Sequence, residues 1–292
     1  MGATFIHCAD PLRPGRPDGH FADEARTARD QGRPTALIDH DALEADDPGR
    51  AVSRVPEGLG PAWYRGWMVT SEQYTALDAA LAARGVTLLT APDAYRRAHE
   101  LPGWYDTFAS VTPRSVWLPT EPGSAPSPER LSAAARPLGG GPAVLKDYVK
   151  SRKHEWDEAC FVPDLADARR LARTAARLVE RQGDGLAGGV VVRAFEDYRT
   201  AVGEARVWWV DGDPVLVTPH PDSPGLRPRP DPGPLRPLVA ALGCRFVTTD
   251  MALRQDGAWR VVEVGDGQVS DLPRGTDPAP LLRSLAAADT PR

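Results

Sequence analysis

The stretch FVTTDMALRQDGAWRVVEVGDGQ, residues 246–268, sets two apolar runs on either side of Asp256-Gly257. Asp-Gly between β-favouring runs is a strong short-range hairpin signal, because both residues tolerate the positive φ that a tight turn requires. A two-residue turn there pairs Gln255 with Ala258 and sets Asp250 directly across from Glu263. Like charges so placed are destabilising. At about 5 Å and an effective dielectric near 20 the cost is roughly 3 kcal/mol. A divalent cation would relieve it, and magnesium held by one or two carboxylates plus phosphate oxygens suits such a pair. A solvated face with both acids pointing outward is the alternative, and a three- or five-residue loop would change the register. Just beyond, Gly265-Asp266-Gly267-Gln268 places glycines around an acid. That lets backbone approach a ligand closely, or it simply makes a turn.

Upstream, AVLKDYV at 143–149 is expected to be a strand. Period two would put Lys146, Tyr148 and Lys150 on one face, with Arg152, Lys153 and His154 in the loop that follows. Of the 35 basic residues, 32 are arginines, and the only lysines are Lys146, Lys150 and Lys153. Lysine is a compact point charge and arginine a wide fork, so this confinement suits a tight phosphate site. An edge strand protected by lysines is the alternative. Arg193 ends the apolar run Val190–Val192, and Arg206 alternates with Trp208. Each suits a bidentate contact with carboxylate or phosphate. Each also suits an internal ion pair, with Glu196 or Glu204, or packing over a tryptophan.

The chain has 292 residues, a formal charge of −5, 41% hydrophobic and 26% charged residues. That composition is globular rather than disordered, and with no basic domain it argues against a nucleic-acid partner. No apolar run approaches the roughly 18 residues of a membrane span, and the first ten residues do not read as a signal peptide. Cys8, Cys160 and Cys244 form neither a disulfide framework nor a zinc pattern, which suits reduced, cytoplasmic thiols. The phosphate-binding G-x-x-x-x-G-K loop, the G-x-S-x-G elbow and the H-E-x-x-H helix do not occur. Before about Pro113, strand and helix signals alternate, with Ser71 expected to cap a helix carrying Tyr74, Leu77 and Leu81. The second half, after a linker at Glu121–Pro128, mixes hairpins with a long amphipathic helix, Asp164–Arg181, expected to be capped by Asp164. The expected organisation is therefore an α/β domain over 1–120 and an α+β domain over 121–292.

The order of strand lysine, basic loop, helix, buried strand, arginine hairpin and acidic hairpin resembles the ATP-grasp superfamily. The stretches Val144–Trp156, Gly189–Glu196, Glu204–Gly212 and Thr248–Pro273 resemble the clade named for two characteristic arginines and a lysine. The resemblance implies a pre-ATP-grasp-like α/β domain followed by an α+β ATP-grasp domain of two subdomains, using ATP and Mg2+. It implies Lys146, with Lys150 or Lys153, on the phosphates, the strand Val190–Glu196 along the adenine, and Glu196 at the ribose. Arg193 and Arg206 would be the two arginines, acting on ATP and in catalysis, and Asp250 and Glu263 would hold magnesium. The superfamily's last motif is Glu-x-Asn, whereas Gly265 stands two after Glu263. Asp266 or Gln268 must then substitute, or one metal contact is lost. The implied activity is ATP-dependent joining of a carboxylate, on an amino acid or small peptide, to an amine through an acylphosphate. Phosphoryl transfer to a hydroxyl and a non-catalytic nucleotide-binding module are the other readings.

Overall fold

The computed structural model describes residues 2–289. The chain gathers into two compact units, one of residues 1–99, 200–251 and 263–292, the other of 100–199 and 252–262. This spatial grouping is not the linear division at residue 120 expected from the sequence. The reason is a shared core: Phe5 and Trp63 pack with Trp208, Val210, Phe246, Leu281 and Leu285, so the first and last thirds of the chain bury one another's apolar faces.

The first unit contains β1 (Thr4–Asp10), β2 (Arg13–Pro17), β3 (Thr35–Ile38), β4 (Gly60–Arg65) and β5 (Val86–Leu88). β1 pairs in parallel with β3 and β4, and β4 with β5, while β2 folds back antiparallel on the end of β1. The intervening helices make this part α/β, as expected. β4 was not legible because Gly60-Pro61 reads as a turn, yet Trp63 and Tyr64 are fully buried. The helix Ser71–Ala82 buries Tyr74, Leu77 and Leu81. Its cap is Thr70, not Ser71: Thr70 accepts from the Gln73 N–H and the Gln73 side chain accepts from the Thr70 N–H, a reciprocal capping box.

The second unit holds the antiparallel sheet of β6 (Ser115–Pro119), β7 (Ala143–Lys146), β8 (Phe161–Val162) and β9 (Gly189–Ala194), in the order β6-β9-β7-β8. One face, with Ala143, Leu145, Val162, Val190 and Val192, packs on Leu131, Leu171, Ala175 and Leu178 of the helices Pro128–Ala135 and Ala168–Gln182. The pairing puts Val144, Phe161 and Arg193 in one row of the opposite face, and Lys146, Val191 and Trp117 in the next. The long helix starts at Ala168 with Asp167 as its cap. Asp164 instead closes the preceding turn, accepting from the Gly141 and Ala166 N–H groups.

β7 stops at Lys146 rather than running to Val149. The Asp147 carboxylate accepts the N–H groups of Val149 and Lys150 and turns the chain. Lys146, Tyr148 and Lys150 therefore do not share a strand face.

The remaining sheet has the order β11-β10-β12-β13, from β10 (Glu204–Val210), β11 (Asp213–Pro219), β12 (Phe246–Leu253) and β13 (Trp259–Asp266). At Asp211-Gly212 a two-residue turn forms: Val210 pairs with Asp213, and φ is +51° and +88° at the turn residues. Asp256-Gly257 turns differently. The Arg254 N–H donates to the Ala258 carbonyl and the Gly257 N–H to the Arg254 carbonyl, which makes a three-residue loop with Gly257 at φ +92°. The register that would set Asp250 directly across from Glu263 is therefore not the one this turn starts.

Asp147 is 1% exposed and also accepts from the Gln182 amide. Asp147→Ala strands part-buried donors and should destabilise the protein by about 2–4 kcal/mol, whereas Asp164→Ala, at an exposed turn, should cost clearly less. Urea unfolding of both variants checks this; equal losses would mean that Asp147 does not hold the turn.

Candidate active site

In the second unit, Lys146 is 5% exposed and its ammonium donates to the Val149 carbonyl at 3.2 Å, while Lys150 and Lys153 lie exposed in the following loop. Arg193 donates to the Val262 carbonyl and to the Thr112 hydroxyl, and its guanidinium lies 5.7 Å from the centre of the Trp104 ring. Packing over a tryptophan, one of the sequence alternatives, is present here. Glu196, just past β9, is gripped through both oxygens by Arg260 at 2.9 and 3.0 Å, and the Tyr198 hydroxyl donates to it. On the same sheet face as Lys146, Trp156 stacks on Phe161 at 5.1 Å and Phe195 meets Phe161 edge-on at 5.6 Å. Trp156 and Phe195 are 38% and 37% exposed. Sequence reasoning missed this aromatic trio, because only the β8–β7–β9 pairing brings residues so far apart together.

In the first unit the centre is Asp250, buried in the middle of β12. Arg206, on the neighbouring β10, donates through Nε and Nη2 to the two Asp250 oxygens, both at 2.8 Å, and through Nη1 to the Asp271 carbonyl. Its paired ion partner is thus Asp250. His220 Nε2 lies 3.5 Å from Asp250 Oδ2. Burial alone would raise the Asp250 carboxyl, but the charge and paired bonds of Arg206, with His220 behind them, hold it well below the usual carboxylate range. Asp250 is therefore a compensated charge, and repulsion from Glu263 is not what organises the hairpin. Glu263 itself is half-buried on β13.

Glu204, His220 and Asp250 each offer a ligand atom within 4.8 Å of the others. The six histidines are scattered along the sequence, with no spacing that singles out His220. His220 gains its place from the β10–β11 pairing, which brings its N–H 2.7 Å from the Glu204 carbonyl.

The segment after β13 is pinned from below. Arg65, fully buried, forms a two-bond pair with Glu24 at 2.7 Å, and its Nη1 donates to the carbonyls of Gly267, Gln268 and Ser270. Gln268 is equally buried: its Nε2 donates to the Tyr74 hydroxyl and its Oε1 accepts from the Tyr64 N–H. Asp266 is fully buried, accepts from the Gln268 N–H through Oδ1, and has no partner for Oδ2 among the described residues. Burial pushes its carboxyl up to about 7. A magnesium ligand needs an accessible oxygen, charged or neutral; the Gln268 Oε1 is taken by the Tyr64 N–H and the Asp266 Oδ2 is fully enclosed.

The Asp266 shift gives a signed pH effect. The unfolded carboxyl ionises near 3.8 and the folded one near 7. The protonated form is favoured on folding, so its stabilisation is complete below about pH 4, falls as pH rises to about 7, and is then constant. The change is at most about 4 kcal/mol. Asp266→Asn should remove this decline, so its stability relative to wild type should rise between pH 4 and 7. Urea unfolding across that range measures it, and parallel profiles would contradict the buried, protonated carboxyl.

Residues 137–285, about half of the chain, match the profile of an ATP-grasp domain, family 3 of the clade named for two arginines and a lysine. No curated protein matches the chain in sequence. Among solved structures the fold is similar to the D-cycloserine synthetase DcsG, with a TM-score of 0.64 at 15% identity over 99% of this chain and 100% of that one. It is similar to a RimK domain ATP-grasp protein from Sphaerobacter thermophilus, at 0.60 and 16% over 98% and 100% of the two chains. It is also similar to the ATP-grasp ligase PsnB complexed with minimal precursor, Mg and ADP, at 0.55 and 15% over 97% of each. At these identities the likeness is one of fold, and it spans nearly the whole chain. The chain has the ATP-grasp fold and belongs to family 3 of the two-arginine, one-lysine clade of ATP-grasp domains.

Proposed function

We propose that the protein is an ATP- and magnesium-dependent ligase that joins a carboxylate, on an amino acid or small peptide, to an amine through an acylphosphate. The observation that carries this reading is the outer face of the β6-β9-β7-β8 sheet, where Lys146 and Arg193 share a surface with the half-exposed Trp156 and Phe195. A purine presents a face that stacks on aromatic rings, and a triphosphate presents charge that a compact ammonium meets well. Lys146, with Lys150 or Lys153 from the loop, would hold the phosphates. Glu196, oriented by Arg260 and Tyr198, would meet the ribose. The fold likeness to PsnB, solved with Mg, ADP and a minimal precursor, supports the same ligand classes.

ATP supplies the phosphoryl group that activates the carboxylate, and magnesium neutralises phosphate charge. The first unit contributes fixed charge: Asp250 and Glu263 would carry the metal, and Asp266 is set aside by its burial. Arg206 would hold Asp250 in orientation. Arg193 is locked by Thr112, Val262 and Trp104, so it gives its charge without reorganising.

Release of ADP that requires both an acid and an amine, screened from pools of amino acids and peptides, tests the reading. Release with a hydroxyl compound alone would make it a phosphotransferase, and nucleotide binding without release a binding module. Lys146→Arg keeps charge but widens the head group, and should weaken ATP binding about tenfold or more; unchanged affinity would leave Lys146 a structural residue. Arg206→Lys cannot keep both bonds to Asp250 and should lower kcat by roughly 10²-fold with little change in ATP affinity. Steady-state ADP release beside calorimetric ATP binding separates the two quantities.

A further inference from the structure

We infer that Glu204, His220 and Asp250 form a metal site that selects a divalent first-row transition ion over Mg2+. The inference rests on the metal-dependent reading above and changes both the ligands and the ion. Glu204 opens β10, His220 follows directly after β11, and Asp250 lies in β12 beside β10. The bond from the His220 N–H to the Glu204 carbonyl fixes the first two backbones together.

His220 Nε2 and Asp250 Oδ2 are 3.5 Å apart, and all three ligand atoms fall within 4.8 Å. Ligands at about 2.0–2.2 Å from a shared ion lie roughly 3–3.5 Å from each other, so small side-chain rotations close the site. Arg206 takes one lone pair from each Asp250 oxygen. Each carboxylate oxygen has two, and the second on Oδ2, which faces His220 Nε2 here, opens to the ion once that nitrogen gives up its proton.

The charge favours a cation. Three acids, Asp250, Glu204 and Asp222, gather around His220, and Arg206 pairs with the first of them. In this structure the Asp222 N–H donates to His220 Nδ1, and the Asp222 carboxylate lies 3.6 Å from the same nitrogen. An ion on Nε2 moves the ring proton to Nδ1, where that carboxylate can accept it, the usual support of a metal-bound histidine. The triad also answers a deficit: Gly265 has no side chain, and Asp266 and Gln268 are buried, so the segment after Glu263 supplies no third donor of its own. Three protein ligands leave open positions for water or phosphate. One imidazole among two carboxylates moves the preference from magnesium, which takes oxygen, toward the transition ions.

The test uses the full-length, metal-stripped chain without nucleotide, titrated with Mn2+ and with Mg2+ and followed by electron paramagnetic resonance of free Mn2+. One Mn2+ should bind per chain, about tenfold or more tighter than Mg2+, with nitrogen coupling from an imidazole in the spin-echo spectrum. His220→Gln should abolish the coupling and weaken Mn2+ binding by about 10-fold or more, Glu204→Gln should weaken binding alone, and Glu263→Gln should leave the coupling in place. Absence of Mn2+ binding, binding without nitrogen coupling, or coupling that survives His220→Gln each overturns the site. The coupling is read in the unaltered chain, so a folding defect in a variant leaves that result standing. Because no turnover is measured, failure of the ligase reading would appear only in the ADP assay and stays distinguishable.

Discussion

The buried guanidinium of Arg65 is the constraint on which the first unit depends. Its Nε and Nη2 are matched to the two oxygens of Glu24, and its remaining terminal nitrogen gathers three carbonyls of the segment 267–270. Trp208 and Phe246 lie under it at 5.4 and 5.9 Å. Three stretches distant in sequence thus converge on one charge. An isolated buried charge would be prohibitive, so the arrangement persists only while every partner is in place. The consequence reaches the candidate site. Fixing the carbonyls of 267–270 turns Gln268 inward to Tyr64 and Tyr74, and Gln268 in turn fixes Asp266. What looked like a glycine-rich ligand loop is the far side of an arginine clamp.

Some of this was legible in the sequence because it is local. Short-range pattern gave most strands, both hairpins and the stripe Tyr74, Leu77, Leu81. The two Asp-Gly turns show where locality ends. Asp211 takes a left-handed conformation, and its carboxylate is held by Arg245 at 2.9 and 3.0 Å while its N–H donates to the Arg245 carbonyl. Asp256 has different partners, Arg254 and the Ala258 N–H, which favour the longer loop. The same dipeptide therefore gives two registers, and a single residue of slip decides which side chains meet. Asp147 is similar: read as part of a strand, it ends one, because its carboxylate competes for the backbone donors that the strand would use.

The site was legible as residue types and only in part as pairs. Lys146, Arg193, Arg206 and Asp250 all stood out as charged groups in apolar surroundings, and all four are buried or nearly so. Their partners were not readable. Arg206 meets Asp250 because β10 and β12 are neighbours, an order that the chain does not announce. Glu196 was a candidate for Arg193 or Arg206 and is taken by Arg260, a residue that alternation in β13 gave no reason to single out. His220 and the Trp156–Phe161–Phe195 group carry no local signal, since each depends on strand pairing for its neighbours.

The Arg206–Asp250 pair couples two roles that the sequence treated separately. With both its oxygens bonded, Asp250 has one orientation, and any cation that it binds must share it with Arg206. The guanidinium offsets one negative charge, and Glu204 beside the pair keeps the surroundings acidic. A buried pair of this kind adds little net stability, since desolvation cancels most of the attraction. Its value here is geometric: it keeps a carboxylate ionised, aimed and unable to relax, the condition under which an electrostatic site works without reorganising.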